Sequence, residues 1–248
     1  MNAKTSQFEI DGGGPRIVAI ETSGRQGSVV VAVGGRILEE RVLSATSRHA
    51  VELMPTIEAM VKEVGWRADM IEHMYLSLGP GSFTGLRIAV AVVRGMAQAI
   101  GCKVVGIPSL EVIAQNATEG EVVVPMLDAK RGEVFAARYE RDGEGRLVQK
   151  VAAKLVDPVA FLRSAVAESC GKVAVLGEGI AYHGAAMAVC DGVVELSPEV
   201  WAGRAREVHR LGWERASRGE FSDVAKLLPI YIRLPEAEEV WRKRHGVE

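Results

Sequence analysis

A chain of 248 residues, 48% hydrophobic and 25% charged, is long enough to bury a sizeable core as one large domain or two small ones. Thirty basic against thirty-two acidic residues leave a net charge of -2, which excludes a molecule that gathers nucleic acid by its overall field; any RNA contact has to be local or shared with a partner. Cys102, Cys170 and Cys190 lie far apart and suit reduced thiols rather than a disulfide framework.

Residues 1–15 are polar and glycine-rich, without the apolar run of a signal peptide, and are expected to be a disordered leader. Residues 17–20 read as a short buried strand, and 28–33 and 36–43 as a second and a third, with Gly34-Gly35 as a two-residue hairpin loop. The first connection, Thr22-Ser23-Gly24-Arg25-Gln26-Gly27, carries hydroxyls and glycines. A helix is predicted over 48–64, where Leu53, Met54, Ile57, Met60, Val61 and Val64 recur on one face; Pro55 should bend it or mark a late start. A strand ending at Leu78, a glycine loop, a helix over 84–100, a strand over 103–107 and a helix over 108–116 complete a βββαβαβα order. Around Gly120 the pattern resets. Residues 122–127 form a strand, and 133–140 pair with it or with 147–152; a helix (161–168), a strand (173–176) and a helix (201–217) follow. The expected division is an N-terminal lobe over 16–117, a smaller α/β lobe over 118–233 and a charged tail over 234–248. No short-period repeat is visible, although the two halves are candidates for distant structural relatives.

The most informative segment is Gly79-Pro80-Gly81-Ser82-Phe83-Thr84-Gly85-Leu86-Arg87. Strand, glycine turn and helix N-terminus in succession present backbone N–H groups to an anion. Gly79, Gly81 and Gly85 permit close backbone approach, and Ser82 or Thr84 can cap the helix. The spacing is neither G-x-G-x-x-G nor a P-loop, and most such turns are only turns. The helix that follows is too apolar for one sheet. Its polar positions, Arg87, Arg94 and Gln98, make one narrow stripe with Ala91, so the apolar face far exceeds the ~100° that a sheet covers. Its own domain or another subunit must cover the remainder. Val51, Met54 and Met60 on the preceding helix are also spare, and Ala89, Ala91, Gly95, Ala97 and Ala99 allow close helix approach.

The five histidines are isolated from one another and no thiols pair, so no metal site is expected; no G-x-S-x-G elbow is present either. His49 reads as a capping or interface residue. The turn over 128–133 carries both charge signs, as a solvated connection or a phosphate contact would. The helix over 84–100 falls short of a ~20-residue membrane span and holds two arginines, so a cytoplasmic protein is expected.

Taken together, the Glu21-Thr22-Ser23 turn, the helix with His49, Leu53 and Pro55, the 79–87 loop, Val105-Gly106-Ile107-Pro108-Ser109-Leu110, Asp128-Ala129-Lys130-Arg131-Gly132-Glu133 and Pro229-Ile230-Tyr231-Ile232-Arg233 closely resemble the TsaB (YeaZ) family. This is the accessory subunit of bacterial tRNA threonylcarbamoyladenosine biosynthesis, and the resemblance spans 17–233. It implies an α/β, actin/Hsp70-like (ribonuclease H-like) fold of two mixed-sheet lobes, the second reduced. It further implies a subunit without catalytic residues or cofactor that binds and activates TsaD, the transferase acting on N6 of the adenosine beside the anticodon. The implied partners are a TsaD-like subunit, a TsaE-like ATPase, a second copy when alone, and tRNA only through the complex, with no membrane. The implied interface holds His49, Val51, Leu53, Met54, Met60, Leu86, Val90, Val93 and Ala97. Thr22, Ser23, Gly79, Gly81, Ser82 and Thr84 become a vestigial phosphate loop. Two metal-binding histidines of TsaD fall on Ser109 and Ile113, which cannot anchor a metal as imidazoles do. Glu21 departs from the family's usual aspartate, which weighs against a Mg²⁺–nucleotide site. The alternative is an ATP-binding phosphotransferase or ATPase of the same fold, with Thr22, Ser23 and the 79–84 loop on the phosphates.

Overall fold

In the computed structural model, which describes residues 13–44, 49–169, 171–188, 190–233, 241 and 244–245 (backbone only at 49–50 and 185–188), the chain opens as an antiparallel meander. Its strands are β1 (Arg16–Glu21), β2 (Ser28–Val33) and β3 (Arg36–Val42). β1 and β2 are covered on both faces, so they read as unbroken apolar runs instead of alternating. Gly34-Gly35 closes the hairpin, with Val33 opposite Arg36 and Gly34 at φ +52°. There follow α1 (His49–Glu63), which contains Pro55 in its interior, then β4 (His73–Gly79), α2 (Phe83–Ile100), β5 (Lys103–Pro108) and α3 (Ser109–Ala114). β4 and β5 run parallel to β1, in the order β3-β2-β1-β4-β5.

The second half repeats this plan. Its elements are β6 (Val122–Asp128), β7 (Val134–Arg141), β8 (Leu147–Val156), α4 (Pro158–Ala167), β9 (Val173–Leu176), α5 (Ile180–Ala188), β10 (Val193–Glu195) and α6 (Ala205–Ser217). β7 pairs with both β6 and β8, and the spatial order is β8-β7-β6-β9-β10. Two meanders, each extended by two parallel strands in the same order, make this an α/β protein of the actin/Hsp70-like, ribonuclease H-like kind. The second copy is reduced: β10 has three residues. α5 and β10 escape sequence reading because one is interrupted and the other very short. α5 holds Gly184, and His183 leaves helical geometry at φ -126°.

Four apolar clusters define five layers. α1 and α2 cover the outer face of the first sheet, and α4 and α5 that of the second. α3 and α6 lie between the sheets: Val112, Val208 and Leu211 join the inner face of the first, and Leu110 and Ile113 that of the second. α6, expected in the second lobe, therefore belongs against β1, β2, β4 and β5. Gly212 makes the approach possible, since a Cβ there would lie 2.5 Å from the Tyr75 ring. The chain beyond α6 stays on the first lobe, with Ser222 N–H donating to Val104 O (2.8 Å), Leu227 buried, and Ile230 N–H donating to Leu78 O (2.7 Å). Arg233 then reaches across to Ala129 O and Glu133 of the second lobe. The lobe boundary is consequently not a single point in sequence. The leader over 1–12 and most of the tail over 234–248 lie outside the described residues.

Candidate interlobe cleft and helix surface

β1, the central strand of the first sheet, delivers Thr22 and Ser23 at its C-terminal end, and the neighbouring parallel β4 delivers the glycine loop beside them. Gly79 and Gly81 take φ of +113° and +154°, and a Cβ on Gly81 would sit 2.3 Å from Ser23 O. That contact is used: Ser82 N–H donates to Ser23 O at 2.7 Å. Ser82 Oγ accepts from Gly85 N–H (3.3 Å) and is the cap of α2, while Thr84 is exposed. Thr22 Oγ1 donates to Gly85 O at 3.0 Å, and Ser109 Oγ accepts from Gly79 N–H at 2.9 Å. The sequence-predicted loop residues thus meet. Ser109 braces the loop, and Ile113 is buried in the interlobe core.

The second lobe supplies the matching connections. Gly177 at φ +114° faces Met126 O, where a Cβ would stand 2.1 Å away. The two sets of loops face each other across a cleft of about 1040 Å³. Arg25 N–H donates to both Glu178 carboxylate oxygens, and the Arg25 guanidinium lies 5.2 Å from the centroid of the Tyr182 ring. Lys130 Nζ approaches the same ring at 5.0 Å. Lys130 and Arg131 adopt φ of +64° and +57°, a left-handed geometry that costs a non-glycine residue roughly 1–2 kcal/mol. Bonds from Glu133 N–H to Lys130 O and from Lys130 N–H to Asp128 Oδ1 hold them there. At Asp128, partial burial raises the carboxyl pKa but is outweighed by bonds from Lys130 and His183, so the group sits below its ordinary value. Sequence reasoning left Arg25, Glu178 and Tyr182 unmarked. Tyr182 stands on the helix it missed, and the other two stand in short loops without a pattern.

Glu21 is wholly buried. One carboxylate oxygen accepts from Ser23 N–H, while Oε2 and the buried Ser23 Oγ find no hydrogen-bond partner among the described residues. Burial raises its pKa above the ordinary 4.5. A Cβ at Gly203 would lie 3.0 Å from the Glu21 carboxyl carbon, so α6's approach closes over this group. Among the described residues no three His, Cys, Asp or Glu side chains gather as a metal site.

The predicted interface residues divide sharply. Leu53, Met60, Leu86, Val90, Val93 and Ala97 are buried within the chain's own first lobe, because the stronger half of each apolar helix face is spent on the sheet. Val51 (68% exposed) and Met54 (44%) face outward. The His49 side chain lies outside the described residues. On α2 the exposed positions are Phe83, Thr84, Arg87, Ala91, Gly95, Gln98 and Ala99; Ala91, Gly95 and Ala99, spaced by four, continue the line from Arg87 and are flanked by half-buried Ile88, Val92 and Met96. Gly95 has nothing within 4 Å of a built Cβ. α2 is the one described helix long and apolar enough to cross a membrane by length and composition; here it lies on β4 and β5.

Two ribonuclease H-like lobes whose glycine loops face each other across a cleft define a protein of the actin/Hsp70-like class. Residues 36–184 match the family described as TsaD: tRNA N6-adenosine threonylcarbamoyltransferase, and the chain belongs to that family. Over nearly its whole length it is similar to the TsaB members. It is 27% identical to the tRNA threonylcarbamoyladenosine biosynthesis protein TsaB of Bacillus subtilis, covering 91% of this chain and 97% of that one. It is 25% identical to the TsaB of Escherichia coli over 94% and 100%. The solved structure of YeaZ from Pseudomonas aeruginosa superposes with a TM-score of 0.75 at 26% identity, covering 88% of this chain and 99% of that one.

Proposed function

We propose that this chain is a partner subunit in the biosynthesis of threonylcarbamoyladenosine in tRNA, and that it binds and activates a TsaD-like transferase rather than performing the transfer. The supporting observation is that Ala91, Gly95 and Ala99 on α2, and Val51 and Met54 on the α1 helix packed against it, are exposed. Small residues at spacing four let a second helix approach closely, and the flanking Ile88, Val92 and Met96 supply apolar area to bury. Binding to one conformation of the transferase raises the population of that conformation by mass action. The same stripe serves self-association when the partner is absent, and a TsaE-like ATPase joins the assembled pair in the cytoplasm.

The test is co-expression with the cognate TsaD-type subunit, followed by sizing and an assay of modified tRNA. Gly95→Glu places a charge in open space without touching the core, so the variant should fold yet lose co-purification and modification. An intact complex with unchanged modification would overturn the proposal. The second reading, an ATP-binding phosphotransferase, is favoured by the unpartnered Ser23 Oγ at the cleft wall. Against it stands Glu21, sealed and raised in pKa where a metal-bearing carboxylate would need to be open and ionised. Calorimetry with Mg²⁺ and ATP separates the two: micromolar binding with hydrolysis would favour the second.

A further inference from the structure

We propose that Arg87, held in place by Phe83 and Tyr231 at the start of α2, is the anchor that receives an aspartate or glutamate side chain of the partner transferase. The inference rests on the reading of this chain as a partner subunit. It names the chemistry by which that partner is gripped and told apart from a second copy of this chain.

Two segments 144 residues apart build the site. Residues 228–231 are seated on the first lobe by the bond from Ile230 N–H to Leu78 O (2.7 Å). Gly79 leaves room for that segment, since a Cβ there would stand 2.8 Å from Ile230 O. The seating brings the Tyr231 ring to 5.2 Å from the Phe83 ring, centroid to centroid. The Arg87 guanidinium lies 3.6 Å over the centroid of Phe83, and its Nε donates to the Tyr231 hydroxyl at 2.9 Å. Stacking on one ring and bonding to the other fixes the plane of the fork. Its two terminal amino groups keep no hydrogen-bond partner among the described residues.

What the fork lacks is a carboxylate. Arg41, Arg138, Arg206, Arg215 and Arg218 each pair with one. Among the described residues none pairs with Arg87, and the first turn of α2 holds no acidic residue. The neighbours on both segments, Phe83, Leu228, Ile230 and Tyr231, are exposed and carry no charge. An arginine ordered in advance, uncompensated and set among exposed apolar groups has the makeup of an interface anchor. A carboxylate is the protein group that takes both prongs of the fork. A nucleic-acid backbone calls for several cations in a row, which these apolar neighbours do not supply.

Position along the helix tells which protein brings the acid. Arg87, Ala91, Gly95 and Ala99 succeed one another at spacing four, so a helix laid along the small residues ends at the fork. A second copy meeting this face with the same two helices has no spare carboxylate to give. α2 contains none, and on α1 Glu52 accepts from Ser44 N–H, Glu58 from Lys62 and Glu63 from Arg41. The acid therefore comes from a different protein.

Affinity of the full chain for the cognate TsaD-type subunit, measured by calorimetry, tests the proposal. Arg87→Ala should weaken it at least about tenfold, and rising salt should weaken the parent more than that variant. Tyr231→Ala should lose part of the affinity. Joined to Arg87→Ala it should lose little more, because Tyr231 acts by positioning the guanidinium. Arg87→Glu should abolish the complex, and one change in a scan of acidic-to-arginine variants on the transferase surface should restore it. A merely local packing role gives a lower melting temperature with affinity unchanged, and that result overturns the proposal. So do full additivity of the Arg87 and Tyr231 variants, a scan in which nothing restores binding, or a loss confined to self-association. Unchanged affinity for the transferase with weaker tRNA binding by the assembled pair overturns it too, since the ligand would then be a phosphate. If Gly95→Glu breaks the complex and Arg87→Glu does not, this inference falls while the partner reading stands; if neither breaks it, both fall.

Discussion

Arg25 and Glu178 tie the first turn of one lobe to the glycine loop of the other, a backbone N–H reaching both carboxylate oxygens at 3.2 and 3.0 Å. Glu178→Ala removes the tie and leaves the Arg25 amide to water. The expected loss is about 1 kcal/mol, or ~2–4 °C in melting temperature for a chain of this size. Faster hydrogen exchange at residues 24–27 should accompany it. Unchanged exchange would show that the lobes are held by other links.

Two neighbours on α2 should respond in opposite directions. Val93 is fully buried, so Val93→Glu leaves an unpaired charge in the core and should cost well over ~3 kcal/mol. Gly95 faces open space, and Gly95→Ala should stabilise the isolated chain by ~0.5–1 kcal/mol through helix propensity. Urea midpoints of the two variants check this ordering.

The α6 docking surface tolerates no added atoms at one point. Gly212→Val forces a side chain into the Tyr75 ring, where a Cβ alone would stand at 2.5 Å. Overpacking of this kind costs ~1–3 kcal/mol or more. A lowered urea midpoint is expected, and an unchanged one would mean that α6 shifts freely on the sheet.

Stability should fall at both ends of the pH range for separable reasons. Burial lowers the pKa of His209, whose Nε2 lies 2.8 Å from Gly34 O, so the unfolded chain binds the proton more readily. Its contribution is present above about 6.5 and is lost as pH falls below that value. Burial raises Glu21, so the folded chain is the better proton binder, and stability is lost as pH rises from 4.5 through the folded value. His209→Gln should flatten the acid limb. Glu21→Gln should flatten the alkaline limb and melt higher than the parent at pH 8. Melting curves from pH 5 to 9 that show no such separation would contradict both assignments.

Much of the fold is legible in local pattern. The apolar runs at β1 and β2, the Gly34-Gly35 hairpin and the glycine loop before α2 announce themselves because each depends on neighbouring residues alone. What is not legible is long-range. Periodicity says that Leu53 and Val90 lie on an apolar face, but not that their own sheet takes that face and leaves Ala91 and Gly95 outside. The small residues of that helix announce close approach in the sequence, but not that Ala89 and Ala97 are buried while Ala91, Gly95 and Ala99 stay outside. The same limit hides α6, whose apolar stripe gives no hint that its partners are β1 and β4, some 130 or more positions earlier. Lys130 and Arg131 disguise a left-handed turn because neither residue type favours one.

The return of α6 and residues 222–230 to the first sheet has a bearing on biogenesis. While a ribosome is still making the middle of the chain, only the short α3 stands on the inner face of the first sheet, beside β4 and β5, and α6 and residues 222–230, which seal the rest, emerge much later. The early half must therefore wait, sticky and unfinished, for residues 205–230 to arrive. A shortened product ending before Ala205 is accordingly expected to be a substrate for chaperones and proteases rather than a smaller working protein.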